Sequence, residues 1–448
     1  MNARTSPSAV SRRDFLKTTL VASALPGIIV RGFGQTPASA GPFGPIKREI
    51  FVPSPRAGAT ALASSFYTRR SGTDLLSIHE IFSRSDTVDV AYIRYSPDNG
   101  RTWTNGQEVS TFEPRPMGKL RRGMRACVVD PGTGRLLRFY LEAVLPTDDP
   151  LEGMRQWVSY YAVSEDGGMT WCLEEEMIQQ GAEFNAEHPI AGVRRGHNCY
   201  MIGDLASRPF YLADGTLLVP IEIMPAGPDG NYFNPGGGYT YSDVAVMRGR
   251  WAADGRHLEW DLSQVVKIDP KLSTRGMDEP TLAELPDGRV LMVMRGSNDK
   301  KPELPGRRWV AFSRDQGRTW SQPEPWTYTN GEGFFSPSSS SQLLTHSTGR
   351  IFWLGNIVPE NPKGNRPRYP FVIGEVDRKI GLLDQRTVTT VDTRGPGDGE
   401  LLALASVSSR EDRETAEIVL NLTRWGALSK GTEYNWTANA YLYRIPLV

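Results

Sequence analysis

One eight-residue pattern occurs three times in this chain. Ser96-Pro-Asp98-Asn-Gly100-Arg-Thr102-Trp103 returns as Ser164-Glu-Asp166-Gly-Gly168-Met-Thr170-Trp171 and as Ser313-Arg-Asp315-Gln-Gly317-Arg-Thr319-Trp320. All three read S-x-D-x-G-x-T-W. Each fixed position has a task in a tight turn between strands. The Asp and Ser side chains satisfy backbone N–H groups, and the Gly supplies a positive φ. Thr and Trp start the next strand, with the indole packed back over the turn. Five fixed positions recurring three times restrict the chain to a repeated β-hairpin architecture.

A second element recurs between these octets: a turn followed by a run of β-branched or apolar residues. It opens at Gly72, Gly132, Asp214, Asp287 and Thr348, and in degenerate form at Arg413. The intervals are roughly 60 to 80 residues, a period typical of propeller blades. About 400 residues over six units leaves roughly 67 each, enough for four strands with loops. Asp254-Gly255 with Trp260 is a decayed octet in the third unit, and Asp377 holds the matching place in the fifth. The segment Ala438 to Pro446 is expected to close the ring against the chain near Ile50, as an outermost strand. Glu174 to Gln180 is the one short stretch with a helical reading.

The octet is the Asp-box, and it resembles the repeat found in sialidases and related β-propellers. An all-β, six-bladed propeller of the sialidase type is therefore predicted over residues 41–448. Ahead of it, Ser11-Arg12-Arg13-Asp14-Phe15-Leu16-Lys17 reproduces a twin-arginine export pattern, followed by an apolar run to Val30 and an A-x-A site at Ala38-Ser39-Ala40. Residues 1–40 are thus expected to be a signal peptide of a bacterial protein bound for the periplasm or beyond. Pro26 and Gly27 interrupt the apolar run, and no other segment is suited to span a membrane.

Composition narrows the partners. Lys plus Arg and Asp plus Glu both total 51, which argues against nucleic acid or an anionic membrane surface. The three cysteines, Cys127, Cys172 and Cys199, lack metal-site spacing and read as buried small hydrophobes. Nothing in the chain calls for a metal or organic cofactor, and no loop shows a clear calcium ligand set. No signal for an oligomeric state is legible.

The resemblance implies a substrate carboxylate clamped by three arginines, a Tyr nucleophile activated by a Glu, and an Asp for the leaving-group proton. Its best local match is Asp278-Glu279-Pro280 leading through Asp287-Gly288 to Arg295. A hairpin of that shape returns both ends to one rim, making Glu279 the activating carboxylate and Arg295 a clamp. Arg368, closer to the following strand than Arg366, is the second arginine. Arg56 is the first by position, although the F/Y-R-I-P motif of the family is missing there. Tyr443-Arg444-Ile445-Pro446 spells it at the wrong end of the chain. Asp86, with Asp89 as the alternative, occupies the place of the acid. No tyrosine occurs from Phe371 to Glu433, where the nucleophile is expected, which leaves Tyr434.

A further cluster lies outside the family pattern. Arg194-Arg195-Gly-His197-Asn198 runs to Gly203-Asp204 and Arg208. His197, one of five histidines, suits acid–base work beside Asp204 or Glu222, and Arg208 suits a substrate contact. The expected function is an exported exo-glycosidase acting on a terminal sialic acid or related acidic sugar of a glycan. The alternatives are a hydrolase of other acidic sugars that works without the Tyr, and a non-catalytic glycan-binding propeller.

Overall fold

The computed structural model describes residues 41–448, and the predicted leader lies outside the described residues. Six antiparallel sheets follow one another along the chain and form the six blades of a β-propeller. Blade 4 shows the plan: Asp278–Glu284, Val290–Arg295, Arg308–Ser313 and Glu324–Pro325 pair in sequence order. The recurring turns at 72, 132, 214, 287, 348 and 413 all join the first long hairpin of a blade, and the octets sit just before the last strand of blades 1, 2 and 4.

The strands are apolar on both faces because each blade is sandwiched between two others, and the period of two divides every strand between two cores. In blade 3, Leu217, Val219 and Ile221 join the cluster shared with blade 2, whereas Leu218 joins the one shared with blade 4. Val290, Met292 and Met294 face blade 3, and Leu291 and Val293 face blade 5. A slip of one residue in register would exchange these two sets.

The octet turns are built as their chemistry dictates. The Asp98 carboxylate accepts the Thr102 N–H at 2.8 Å and its hydroxyl at 2.6 Å, and Ser96 Oγ accepts the Gly100 N–H at 2.8 Å. Asp166 and Asp315 repeat this, each accepting a Thr N–H at 2.9 Å. The glycines stand at φ of 86°, 93° and 78°. Thr and Trp complete the turn rather than opening the next strand, which begins at Gln107 in the first copy, and Trp103 Nε1 donates to Gly100 O.

Three details depart from the sequence reading. Glu174 to Gln180 is not helical: Leu173–Glu176 pairs with Val158–Ser164, because blade 2 needs its outer strand. Cys172 is exposed, while Cys127 and Cys199 are buried. The C-terminal strand Ala440–Ile445 is third in blade 6, between Ile418–Trp425 and Lys47–Val52, so the outermost strand is the first described one. Ile50 does pair with Tyr441. The described helices are two short 3₁₀ segments, Pro150–Arg155 and Gln385–Thr387, and no described helix is long and apolar enough to cross a membrane.

Candidate active site

Blade 4 fixes where the charged residues gather. Its third strand starts at Arg308 and ends at Ser313 of an octet, so Arg308, Arg295 and Asp278 lie at the end opposite the octet turn. Arg295 stands in register with both Asp278 and Arg308.

Glu279 is the centre of the cluster. Its Oε1 accepts from Arg295 Nη1 at 2.6 Å, while Oε2 is buried without a hydrogen-bond partner. Arg295 Nε donates to Ser338 Oγ at 2.8 Å and lies 3.7 Å from Asp278 Oδ2. Arg368, from the loop ahead of Phe371–Asp377, donates through Nη2 to Ser338 O at 2.8 Å. Arg275 approaches Asp278 Oδ2 at 3.6 Å and lies against the ring of Tyr239. Arg308 is fully buried, its guanidinium over the Trp353 ring and its hydrogen bonds going to serines, Nε on Ser336 Oγ at 2.9 Å and Nη2 on Ser339 Oγ at 3.1 Å. Those serines donate to Asn356, so the Ser336 to Ser341 run acts as a polar rail beneath the arginines.

The charges do not balance locally. Burial opposes ionisation of Glu279, but Arg295, Arg368 and Arg275 outweigh it and hold its carboxyl below the usual range. Burial and then Arg295 depress the pKa values of Arg308 and Arg368. A guanidinium stays charged under such a shift, so the shift reflects first the cost of burying the charge and second the crowding by Arg295. Arg275 Nε, Arg308 Nη1 and Arg368 Nε are buried and lack hydrogen-bond partners. Guanidinium forks left in this condition suit a planar carboxylate, whose two oxygens accept in parallel.

A second set of carboxyls lies within electrostatic reach of Glu279 or of one another. Burial, then Glu279, raises the pKa of Asp204, against the Leu205 N–H, Arg125 and the Ser406 hydroxyl. Burial followed by Asp278 and Glu279 raises that of Glu222. Glu80 is pushed up to about 7, chiefly by burial. The surroundings thus push Glu279 down and Asp204 up, the kind of opposed shift from which acid–base chemistry divides its roles.

The structure brings Glu279, Arg295 and Arg368 together. Asp86 sits at the exposed tip of the hairpin formed by Leu75–Arg84 and Thr87–Ser96, and it acts electrostatically on Tyr239, the ring that Arg275 touches. Tyr434 packs edge-on against Trp436, its pKa raised by burial and drawn down by Arg366 and Arg368. It approaches the arginines, and Glu279 is bound to Arg295 rather than to a tyrosine hydroxyl. Arg56 stays outside the cluster as an exposed residue facing Asp89 at 3.7 Å. His197 is exposed, with Nδ1 3.0 Å from Asn231 Oδ1, and Arg195 pairs with Glu176. Arg208 also lies elsewhere: it donates to Ser409 O and covers the Phe66 ring, beside Tyr67, whose hydroxyl meets Asn99 of the first octet. Its contacts there reach Phe66 of blade 1 and Ser409 of blade 6.

Arg275, Arg308 and Glu80 escaped the sequence reading, as did the serine rail. Arg275 had a usable signal, three residues before Asp278. Arg308 had a weaker one, at the head of the apolar run Trp309-Val-Ala-Phe312.

The BNR repeat-like domain model matches residues 73–380, more than half of the chain. The chain belongs to this family. No curated protein matches it. Among solved structures, this BNR repeat-like protein is similar to an intramolecular trans-sialidase from Ruminococcus gnavus, with 12% identity, 89% of this chain and 97% of that one covered, and a TM-score of 0.58. A Dyadobacter fermentans protein of unknown function gives 14%, 90%, 99% and 0.57. The NanB sialidase of Streptococcus pneumoniae gives 13%, 91%, 71% and 0.53. Likeness at this identity establishes the sialidase-like six-bladed fold, while activity belongs to the site.

Proposed function

We propose that this BNR repeat-like protein is an exo-acting glycoside hydrolase that releases a terminal acidic sugar, sialic acid first among them, from glycans. The observation that carries the reading is the set of four arginines around Glu279, three of them with an unpaired guanidinium N–H. Arg295 and Arg368 grip the sugar carboxylate, with Arg275 at its edge and Arg308 adding positive potential from below. Glu279 keeps Oε2 for the proton of the attacking group, and Asp86 serves the leaving group from the rim. The export pattern at Ser11 to Lys17 supports work outside the cytoplasm, where such glycans are met.

A second reading is favoured by the pairing of Glu279 with Arg295 and not with a tyrosine. In it the same arginines hold a uronic or keto acid, and the carboxyls act on water directly, Glu279 as base and Asp204 as acid. Incubation with a fluorogenic N-acetylneuraminic acid glycoside, with Glu279→Gln alongside, tests the first reading. Release that disappears in the variant supports it. No release by the folded wild type, together with cleavage of a uronic acid glycoside, selects the second.

A further inference from the structure

The backbone of Glu279 presents a problem in accounting. Asp278 pairs with Arg295 and Thr281 with Val293, and the register shifts between them. The bulge removes the Glu279 N–H from the strand ladder, and a buried N–H without a partner is costly. Glu279 also stands at φ +46°, in the left-handed region that a residue with a Cβ disfavours. Something must hold it there.

The holder comes from the neighbouring blade. Glu222, on the strand Leu217–Ile223, is 3% exposed, and its Oε1 accepts the Glu279 N–H at 2.8 Å. The first strand of blade 3 is broken between Tyr200–Met201 and Phe210–Tyr211, and the intervening loop crosses this contact. Gly203 lies at the crossing. A Cβ there would stand 2.8 Å from Glu222 Oε1 and 3.2 Å from Glu279 Cα, so the close approach requires glycine.

We propose that Glu222 is the positioning residue of the site: by accepting the Glu279 N–H it fixes the bulge and the left-handed backbone that aim the Glu279 carboxylate at Arg295. Asp278, Glu279 and Arg295 face Glu222 from blade 4, and Cys199 lies near it in blade 3. With its pKa raised by burial and by Asp278 and Glu279, Glu222 gains a proton readily. Either protonation state keeps an oxygen to accept with, so the contact depends on reach and not on charge. The functional consequence rests on the proposed role of Glu279, whereas the conformational claim stands by itself.

The test compares crystal structures of the full-length wild type, Glu222→Gln and Glu222→Asp, with kinetics on the fluorogenic N-acetylneuraminic acid glycoside. Glu222→Gln keeps the acceptor at the same reach and is expected to preserve both the Glu279 backbone and the Arg295 contact. Glu222→Asp is one methylene short, and in it Glu279 is expected to leave the left-handed region and release Arg295. In kinetics, misplacement of this kind lowers kcat by about 100-fold with KM little changed, and the Gln variant restores it. An unmoved Glu279 in Glu222→Asp overturns the proposal, as does a displaced one in Glu222→Gln, which also decides the matter if the Asp variant does not fold. If the wild type shows no turnover, the functional reading fails while the structures still judge the positioning claim.

Discussion

Replacing Glu80 by Gln should make this protein more stable, and increasingly so as the pH rises. Glu80 is 3% exposed on the strand Leu75–Arg84, with its Oε1 on the Met124 N–H at 2.8 Å. Burial raises its pKa from 4.5 to about 7, against the pull of Arg125 and the Met124 N–H and with a contribution from Asp204. The native state therefore keeps a proton that the unfolded chain releases. Stability from this group is complete below pH 4.5 and is lost as the pH climbs through 7. At about 1.36 kcal/mol per pH unit, the loss approaches roughly 3.4 kcal/mol above pH 8 and is under about 1 kcal/mol at pH 5. A neutral Gln keeps the carbonyl oxygen for Met124 and escapes the loss. The gain of Glu80→Gln over wild type should thus grow by about 2.5 kcal/mol from pH 5 to pH 8, or about 3 °C in Tm for a chain of this size. Scanning calorimetry on both proteins at several pH values measures it, and other titrating groups, Glu222 among them, cancel in the difference. A Tm difference that does not change with pH would refute the reasoning.

Two further outcomes follow from named contacts. Asp315→Ala removes the acceptor of the Thr319 N–H, the Thr319 hydroxyl and the Ser313 hydroxyl. It should cost about 1–2 kcal/mol, seen as a Tm lowered by about 1–2 °C, with ligand affinity unaltered because the octet turn lies at the far end of its blade. Arg368→Met should weaken N-acetylneuraminic acid about 30- to 100-fold in calorimetric titration, as expected for a lost charged hydrogen-bond pair, whereas Arg56→Ala should leave it unchanged. Equal losses in both variants would place Arg56 at the ligand after all.

The architecture was open to reading because the residues that define it are neighbours in the chain. Ser96, Asp98, Gly100 and Thr102 bond to one another within eight positions, so their recurrence reports a physical unit directly. Glu279 and Arg295 were legible for the same reason, as two ends of one hairpin. The rest of the cluster is assembled from afar. Glu80 stands on blade 1, Glu222 on blade 3 and Ser338 beside blade 5, and no spacing in the sequence relates them. Arg308 looks like any arginine at a strand start, and only the closed ring buries it with serines in place of a carboxylate. Arg208 and His197 show the converse: chemically suggestive types in a promising segment, which the fold sets one on the octet side against Ser409 and the other exposed beside Asn231.

The pairing of Lys47–Val52 with Ala440–Ile445 carries a consequence for how the molecule comes into being. Five sheets draw on consecutive stretches and are free to form in turn as the chain leaves the ribosome. The sixth needs both ends at once, and until the last residues emerge its strands have open edges that invite pairing with other chains. The arginine-lined centre, bounded by several blades, takes shape only at that moment. An unfinished polypeptide therefore carries every residue of the site without the site itself, and the burial that crowds Arg308 and Arg368 falls due only when the ring closes.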